Sequence, residues 1–172
     1  MSVEHTLSLI GFPGSGKSTI GVLLAKRLGI EFVDTDLLIQ AREDATLAEI
    51  IARTDHHYLR EVEERVLTEM PIHKSVISTG GSVVYSDNIM TRLATQTTVI
   101  YLRAQFATVE YRISLAPDRG IASSKNQSLA DIYAERIPLY EQWATLSVDV
   151  DDDEPERIVG HIIHALDTLP HQ

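Results

Sequence analysis

Short apolar runs alternate with longer stretches of helical period along this 172-residue chain. Residues 6–10, Thr-Leu-Ser-Leu-Ile, predict a first strand, followed by a helix over 18–28 that Gly29 closes. Glu31-Phe32-Val33-Asp34 predicts a second, short strand. A helical region follows, with Thr46 as a possible cap for 47–53 and a longer helix over 56–70 that Pro71 ends. Ser75-Val76-Ile77-Ser78 reads as a third strand and 97–102 as a fourth, with a helix over 87–95 between them. Helices over 106–115 and 129–143, a fifth strand over 145–150 and an amphipathic helix over 155–169 complete the pattern. Parallel strands need crossover connections, and helices supply them here. The expected architecture is therefore an α/β fold whose five-stranded parallel sheet is covered by helices.

Two segments interrupt this alternation. Residues 116–127 hold Pro, Gly, Ser, Lys, Asn and Gln with little apolar period, between two helices. They read as a mobile lid, spanning about 113–127 with its approaches. Residues 35–46 follow the second strand and are expected to face a cleft, because ligands gather at the carboxyl ends of parallel strands.

Directly behind the first strand stands Gly11-Phe12-Pro13-Gly14-Ser15-Gly16-Lys17-Ser18, which spells GxxxxGK[ST]. Glycines in such a loop let successive backbone N–H groups turn inward on phosphate oxygens. Lys17 reaches the terminal phosphates, and the Ser18 hydroxyl can ligate Mg²⁺. A helix starting at this point aims its positive end at the same anion. Gly14, Ser15, Gly16, Lys17, Ser18 and Thr19 are thus the candidate nucleotide-phosphate site.

Composition narrows the ligand class. The chain is 44% hydrophobic and 23% charged, an ordinary balance for one soluble domain over 1–172. No apolar run reaches the ~20 residues that span a bilayer, and Met1 to His5 show no export signal. With no cysteine there is neither a disulfide framework nor a thiolate metal site, which fits a cytoplasmic location. A formal charge of −10 argues against nucleic acid as a partner. A few arginines converging on one cleft can still reverse the local potential for a small anion.

Several residue pairs carry candidate chemistry. Asp34 and Asp36 flank Thr35 at the end of the second strand, where positions i and i+2 would share a face. One carboxylate could hold Mg²⁺ through water while the other takes a hydroxyl proton; equally, Asp36 could simply cap a helix at Leu37-Leu38-Ile39. Arg60 and Glu63 lie three apart on a predicted helix, either as a surface ion pair or as a carboxylate-binding arginine oriented by its glutamate. Gly80-Gly81, after the third strand, allow a ligand close to the backbone or serve a plain turn. Arg112, Arg119 and Arg136 are spread through the lid region and the helix after it, where cations could stabilise a migrating phosphoryl group. His161 and His164 share a helix face but lack carboxylate support for a zinc site.

Taken together, these residues resemble the shikimate kinase family of small P-loop kinases over nearly the full chain. The matches beyond the phosphate loop are Phe32-Val33-Asp34-Thr35-Asp36, Arg60 with Glu63, Gly80-Gly81, Arg136-Ile137-Pro138-Leu139-Tyr140, and the spacing of Arg112 to Arg119. The resemblance implies a three-layer P-loop kinase fold and ATP-dependent phosphorylation of the shikimate 3-hydroxyl in aromatic amino-acid biosynthesis. It assigns Lys17 and Arg119 to the phosphates, Ser18 and Asp34 to Mg²⁺, and Asp36 to the reacting hydroxyl as its base. Arg60 and Arg136 would clamp the substrate carboxylate, Gly80-Gly81 would form the turn against it with Gly81 giving a backbone contact, and Glu63 would hold Arg60. Arg112 would lie on the adenine side, and about 35–64 would form the substrate-binding region of a monomeric enzyme.

Three positions depart from the family's pattern. Ser82 replaces the third glycine of a triple-glycine turn, Gly120 follows Arg119 where proline is usual, and Asp151, Asp152 and Asp153 occupy a loop that often carries an arginine. Gly120 is expected to loosen the lid. Two other readings of the same residues stand beside this one: a sibling kinase acting on another hydroxy acid such as gluconate, and a nucleotide-binding regulator without catalysis.

Overall fold

The computed structural model describes residues 6–116, 121, 126–151 and 154–170. Five strands form one parallel sheet: β1 (Leu7–Ile10), β2 (Glu31–Asp34), β3 (Ser75–Ser78), β4 (Thr98–Arg103) and β5 (Leu146–Asp149), in the order β2-β3-β1-β4-β5. Leu7 pairs with Val76 on one side and Thr98 on the other, so β1 is the central strand. All four of its residues are buried, including Ser8. Burial on both faces explains why this segment reads as a continuous run rather than an alternating one. The Ser8 hydroxyl is satisfied by Thr97 at 2.7 Å, just ahead of β4.

Helix α1 (Lys17–Leu28) packs on β2, β3 and α8 (Pro155–Thr168), covering one face. On the other face α5 (Asp87–Gln96) and α7 (Leu129–Trp143) meet β4. Helix α6 (Phe106–Ser114) follows β4 and contacts α7. The main core joins the strand side chains to Leu24 of α1, Met90 of α5, Tyr140 of α7 and Ile162 of α8. A second, smaller core of Ile39, Ile50, Leu59, Val62 and Val66 joins α2 (Thr35–Glu43), α3 (Leu47–Arg53) and α4 (His56–Glu69) into a helical unit beside the sheet.

The expected strands and helices agree with the observed ones to within a residue or two at their ends, where assignment is soft. The start of α2 is the main correction. It follows β2 without a loop, because the carboxylate of Asp34, the last strand residue, caps it. Asp34 Oδ1 accepts from the backbone N–H of Asp36 at 2.9 Å and of Leu37 at 3.4 Å. Asp36 is therefore neither the cap nor a strand partner of Asp34; it sits in the first turn of α2. A 3₁₀ turn at Val83–Tyr85 is a further element the residue pattern did not announce.

Helix α7 runs through Pro138, which lies on its exposed side. Its start is fixed by a reciprocal box in which Ser128 Oγ accepts from the Asp131 N–H and Asp131 accepts from the Ser128 N–H. Ile132, Arg136 and Tyr140, four apart, form its buried stripe. An arginine is thereby placed where an apolar residue would ordinarily go.

Candidate active site

The order of the sheet sets where the site forms. Chain connections leave β1 toward β2 on one side, and β3 crosses to β4 on the other. A crevice opens where that direction reverses, at the carboxyl ends of the strands. A cavity of about 340 Å³ lies there, lined by Lys17, Ser18, Asp36, Glu63, Gly80 and Arg136 among its polar residues and by Ile39, Leu47, Leu59 and Ile121 on its apolar side.

The loop after β1 supplies the first wall. Gly14 and Gly16 take φ values of 89° and 90°, in the left-handed region that other residues enter only at a cost. These turns carry the chain directly into α1, whose first turn holds no acidic residue. The positive end of the helix is thus left for an anion. Lys17 is buried, and its ammonium donates to the carbonyls of Gly11 at 2.7 Å and Phe12 at 3.2 Å. Arg112, on α6, donates to the Gly14 carbonyl and to the Val150 carbonyl, each at 3.1 Å. It therefore ties the phosphate loop to the segment after β5.

Asp34 has two duties. While Oδ1 caps α2, Oδ2 accepts from the Ser18 hydroxyl at 2.7 Å. Two hard oxygen donors thus stand side by side at the start of α1, a donor set suited to Mg²⁺. The cap also fixes the first turn of α2, which carries Asp36 to the cavity wall.

The turn after β3 supplies the second wall. Thr79 anchors it, its N–H and hydroxyl both donating to the Leu9 carbonyl, at 3.2 and 2.8 Å. A Cβ on residue 80 would stand 2.3 Å from Glu63 Oε1 and 3.2 Å from Asp36 Oδ1. Only glycine leaves room there for both carboxylates. Tyr140 donates to the Gly81 carbonyl at 2.5 Å, fixing the turn against α7.

Glu63 projects from α4 into this wall and is 5% exposed. Burial, with repulsion from Asp36, pushes its carboxyl up to about 7, against the hydrogen bond from Ser82 and the charges of Arg136 and Lys17. Its hydrogen bond comes from Ser82 Oγ at 2.6 Å. The expectation that Glu63 holds Arg60 thus meets a different geometry. Arg60, one turn earlier, lays its guanidinium 4.0 Å from the centre of the Tyr85 ring and is not among the described residues lining the cavity.

Arg136 is 1% exposed, lines the cavity and stacks near the same Tyr85 ring at 5.3 Å. Its Nε donates to the Tyr85 hydroxyl at 3.4 Å, and that hydroxyl in turn donates to Glu135. Two guanidinium groups therefore converge on one aromatic ring. Burial, then the Arg136 charge, draws the Arg60 pKa below its ordinary value, opposed by the negative groups nearby. An anion at this point would relieve the repulsion between the two cations.

Lys17, Ser18, Thr19, Asp36, Glu63, Gly80, Gly81 and Arg136 thus meet at one cavity, with Asp34 and Arg112 behind its wall and Arg60 beside it. Arg119 and Gly120, together with Asp152 and Asp153, lie outside the described residues, and so does most of the expected lid. Tyr85, the hydrogen bond from Tyr140 to the Gly81 carbonyl and the bond between Ser82 and Glu63 were not read from the residue pattern. Ser82 adjoined the glycine pair, but nothing in the linear order pairs it with a residue on α4.

Comparison with known proteins identifies the family. A family model described as "Shikimate kinase" matches residues 13–167. Shikimate kinase 2 of Yersinia enterocolitica is 34% identical over 169 residues, covering 95% of this chain and 97% of its own. The shikimate kinase of Mycobacterium avium is 38% identical over 168 residues, with 92% and 91% covered. The solved structure of shikimate kinase from Acinetobacter baumannii in complex with shikimate superposes with a TM-score of 0.89 at 26% identity, covering 98% of this chain and 97% of that one. With the family model spanning most of its length and relatives matched nearly end to end, this chain belongs to the shikimate kinase family.

Proposed function

We propose that this chain transfers the γ-phosphoryl group of ATP to the 3-hydroxyl of shikimate, forming shikimate 3-phosphate and ADP in the route to aromatic amino acids. The observation that carries this reading is that Asp36 and Arg136 line the same cavity as Lys17 and Ser18. In this reading a base and a carboxylate-binding cation share one cavity with a phosphate loop.

In the proposed reaction Asp36 accepts the proton of the 3-hydroxyl as that oxygen forms its bond to the γ-phosphorus. The bond to the bridging oxygen breaks and ADP leaves with the electron pair. Lys17 and the N-terminus of α1 stabilise the charge on the phosphoryl and leaving oxygens, so most of the catalysis is positioning and electrostatics. Ser18 directly, and Asp34 through water, would hold Mg²⁺, which when bound neutralises phosphate charge. Arg136 binds the shikimate carboxylate with Arg60 beside it, and the Gly80-Gly81 turn brings backbone against the ring. Arg112, which holds the Gly14 carbonyl, would border the adenine side. Arg119 would add a second cation over the phosphates. We take the enzyme to act as a cytoplasmic monomer; no helix among the described residues is long and apolar enough to cross a membrane.

A coupled assay of ADP release over shikimate and a panel of sugar acids tests this. Turnover of shikimate well above that of the other acids is expected. Turnover of gluconate with none of shikimate would overturn the acceptor, and ATP binding without transfer to any acid would overturn the catalytic reading.

A further inference from the structure

Ser82 follows the Gly80-Gly81 pair after β3, and its hydroxyl makes a directed contact: it donates to Glu63 Oε2 at 2.6 Å. Both residues are buried and both line the cavity. The other carboxylate oxygen, Glu63 Oε1, is buried without a hydrogen-bond partner among the described residues. It lies against Gly80, and so does Asp36 Oδ1, since a Cβ on that glycine would contact both. The two oxygens therefore share one patch of cavity wall. A buried acceptor left unmatched costs about 1–3 kcal/mol, and Glu63, Ser82 and Asp36 all line the cavity.

We infer that Ser82 is a positioning residue for acceptor recognition: by holding Oε2 it fixes Glu63 Oε1 against Gly80, beside Asp36, and so sets the charge that Asp36 meets when the hydroxy acid binds. This rests on the proposed phosphoryl transfer to such an acid. The physical basis is the choice of protonation state. Glu63 is faced by Asp36 from α2, Lys17 from α1 and Arg136 from α7, with Arg60 one turn away on its own helix. Burial and Asp36 favour the protonated acid, while Ser82, Arg136 and Lys17 favour the carboxylate. The resulting pKa of about 7 leaves the balance sensitive to one hydrogen bond. A protonated Oε1 donates instead of accepting. It would then compete for Asp36, the oxygen that must receive the substrate proton.

Removing the hydroxyl in Ser82→Ala takes away a hydrogen bond to a charged group, so Glu63 protonates at higher pH. The acidic limb of kcat/KM for shikimate is expected to move up by about one pH unit. The change should fall on the KM for shikimate more than on the KM for ATP. Ser82→Thr, which keeps a hydroxyl, restores the native limb, and Ser82→Gly shows the same shift as Ser82→Ala should the latter fold poorly. In a Glu63→Gln background the limb disappears and Ser82→Ala adds nothing. A Ser82→Ala limb that coincides with the native one, or an equal shift in the Glu63→Gln background, would overturn the inference. A ¹³C NMR titration of the Glu63 carboxyl, identified by its loss in Glu63→Gln, needs no acceptor. An unchanged midpoint in Ser82→Ala overturns the role of Ser82, whereas a raised midpoint in an enzyme inert to shikimate supports the hold on Glu63 and overturns the acceptor.

Discussion

Lys17→Ala is expected to lower kcat for shikimate phosphorylation by about 10²–10³-fold, the cost of losing one preorganised donor at a site of developing charge. Its ammonium is buried at the mouth of α1 and held by the carbonyls of Gly11 and Phe12. Those two bonds fix the cation in place before a phosphate arrives, so little reorganisation is left for the reaction itself. Alanine removes the charge and frees the two carbonyls. The KM for ATP should rise as well, because the same cation binds phosphate in the ground state. Measured under single turnover, the deficit should appear in the chemical step. A variant within about threefold of native kcat, far less than one such donor contributes, would mean that Lys17 does not act on the transferred group.

Arg136→Ala should raise the KM for shikimate by about 10²-fold, in keeping with ~2–5 kcal/mol for truncating one partner of a buried, hydrogen-bonded charge pair. The KM for ATP should move far less. The side chain is 1% exposed, so its removal also opens a cavity and takes a favourable charge away from Glu63. Thermal stability will therefore fall, and stability alone cannot report the role in binding. Arg136→Lys separates the two: it keeps the charge and much of the volume but loses the planar fork that matches a carboxylate. Steady-state kinetics should place it between native and alanine for shikimate. A fall in melting temperature with an unchanged KM for shikimate would reduce Arg136 to a packing residue.

How much of this was legible beforehand depended on how local the information was. The segment from Leu7 to Thr19 announces itself because an apolar strand, a glycine pattern and a helix start are contiguous. The run Asp34-Thr35-Asp36 was harder, since it offers two carboxylates for one cap. The strand continues to its last possible residue, so the cap falls on Asp34 and Asp36 sits in the first turn of α2, at the cavity wall. Arg60 and Glu63 were correctly neighbours on a helix face, yet tertiary contacts divide them: one goes to Tyr85, the other to Ser82. Neither partner is near in the chain. Arg112 likewise finds carbonyls at Gly14 and Val150, and carbonyls leave no trace in a residue pattern. The triple-glycine departure at Ser82 was visible as an oddity. Its meaning required knowing that a buried carboxylate lies within reach of it.

The central claim is that the γ-phosphoryl group of ATP reaches one hydroxyl of shikimate. The most direct measurement is identification of the product by ³¹P and ¹H NMR after incubating the enzyme with ATP, Mg²⁺ and shikimate. A phosphorus resonance coupled to the proton on C3, with ADP formed in equal amount, is the expected result. ADP formed without any shikimate phosphate ester, or an ester on a different oxygen, would contradict it.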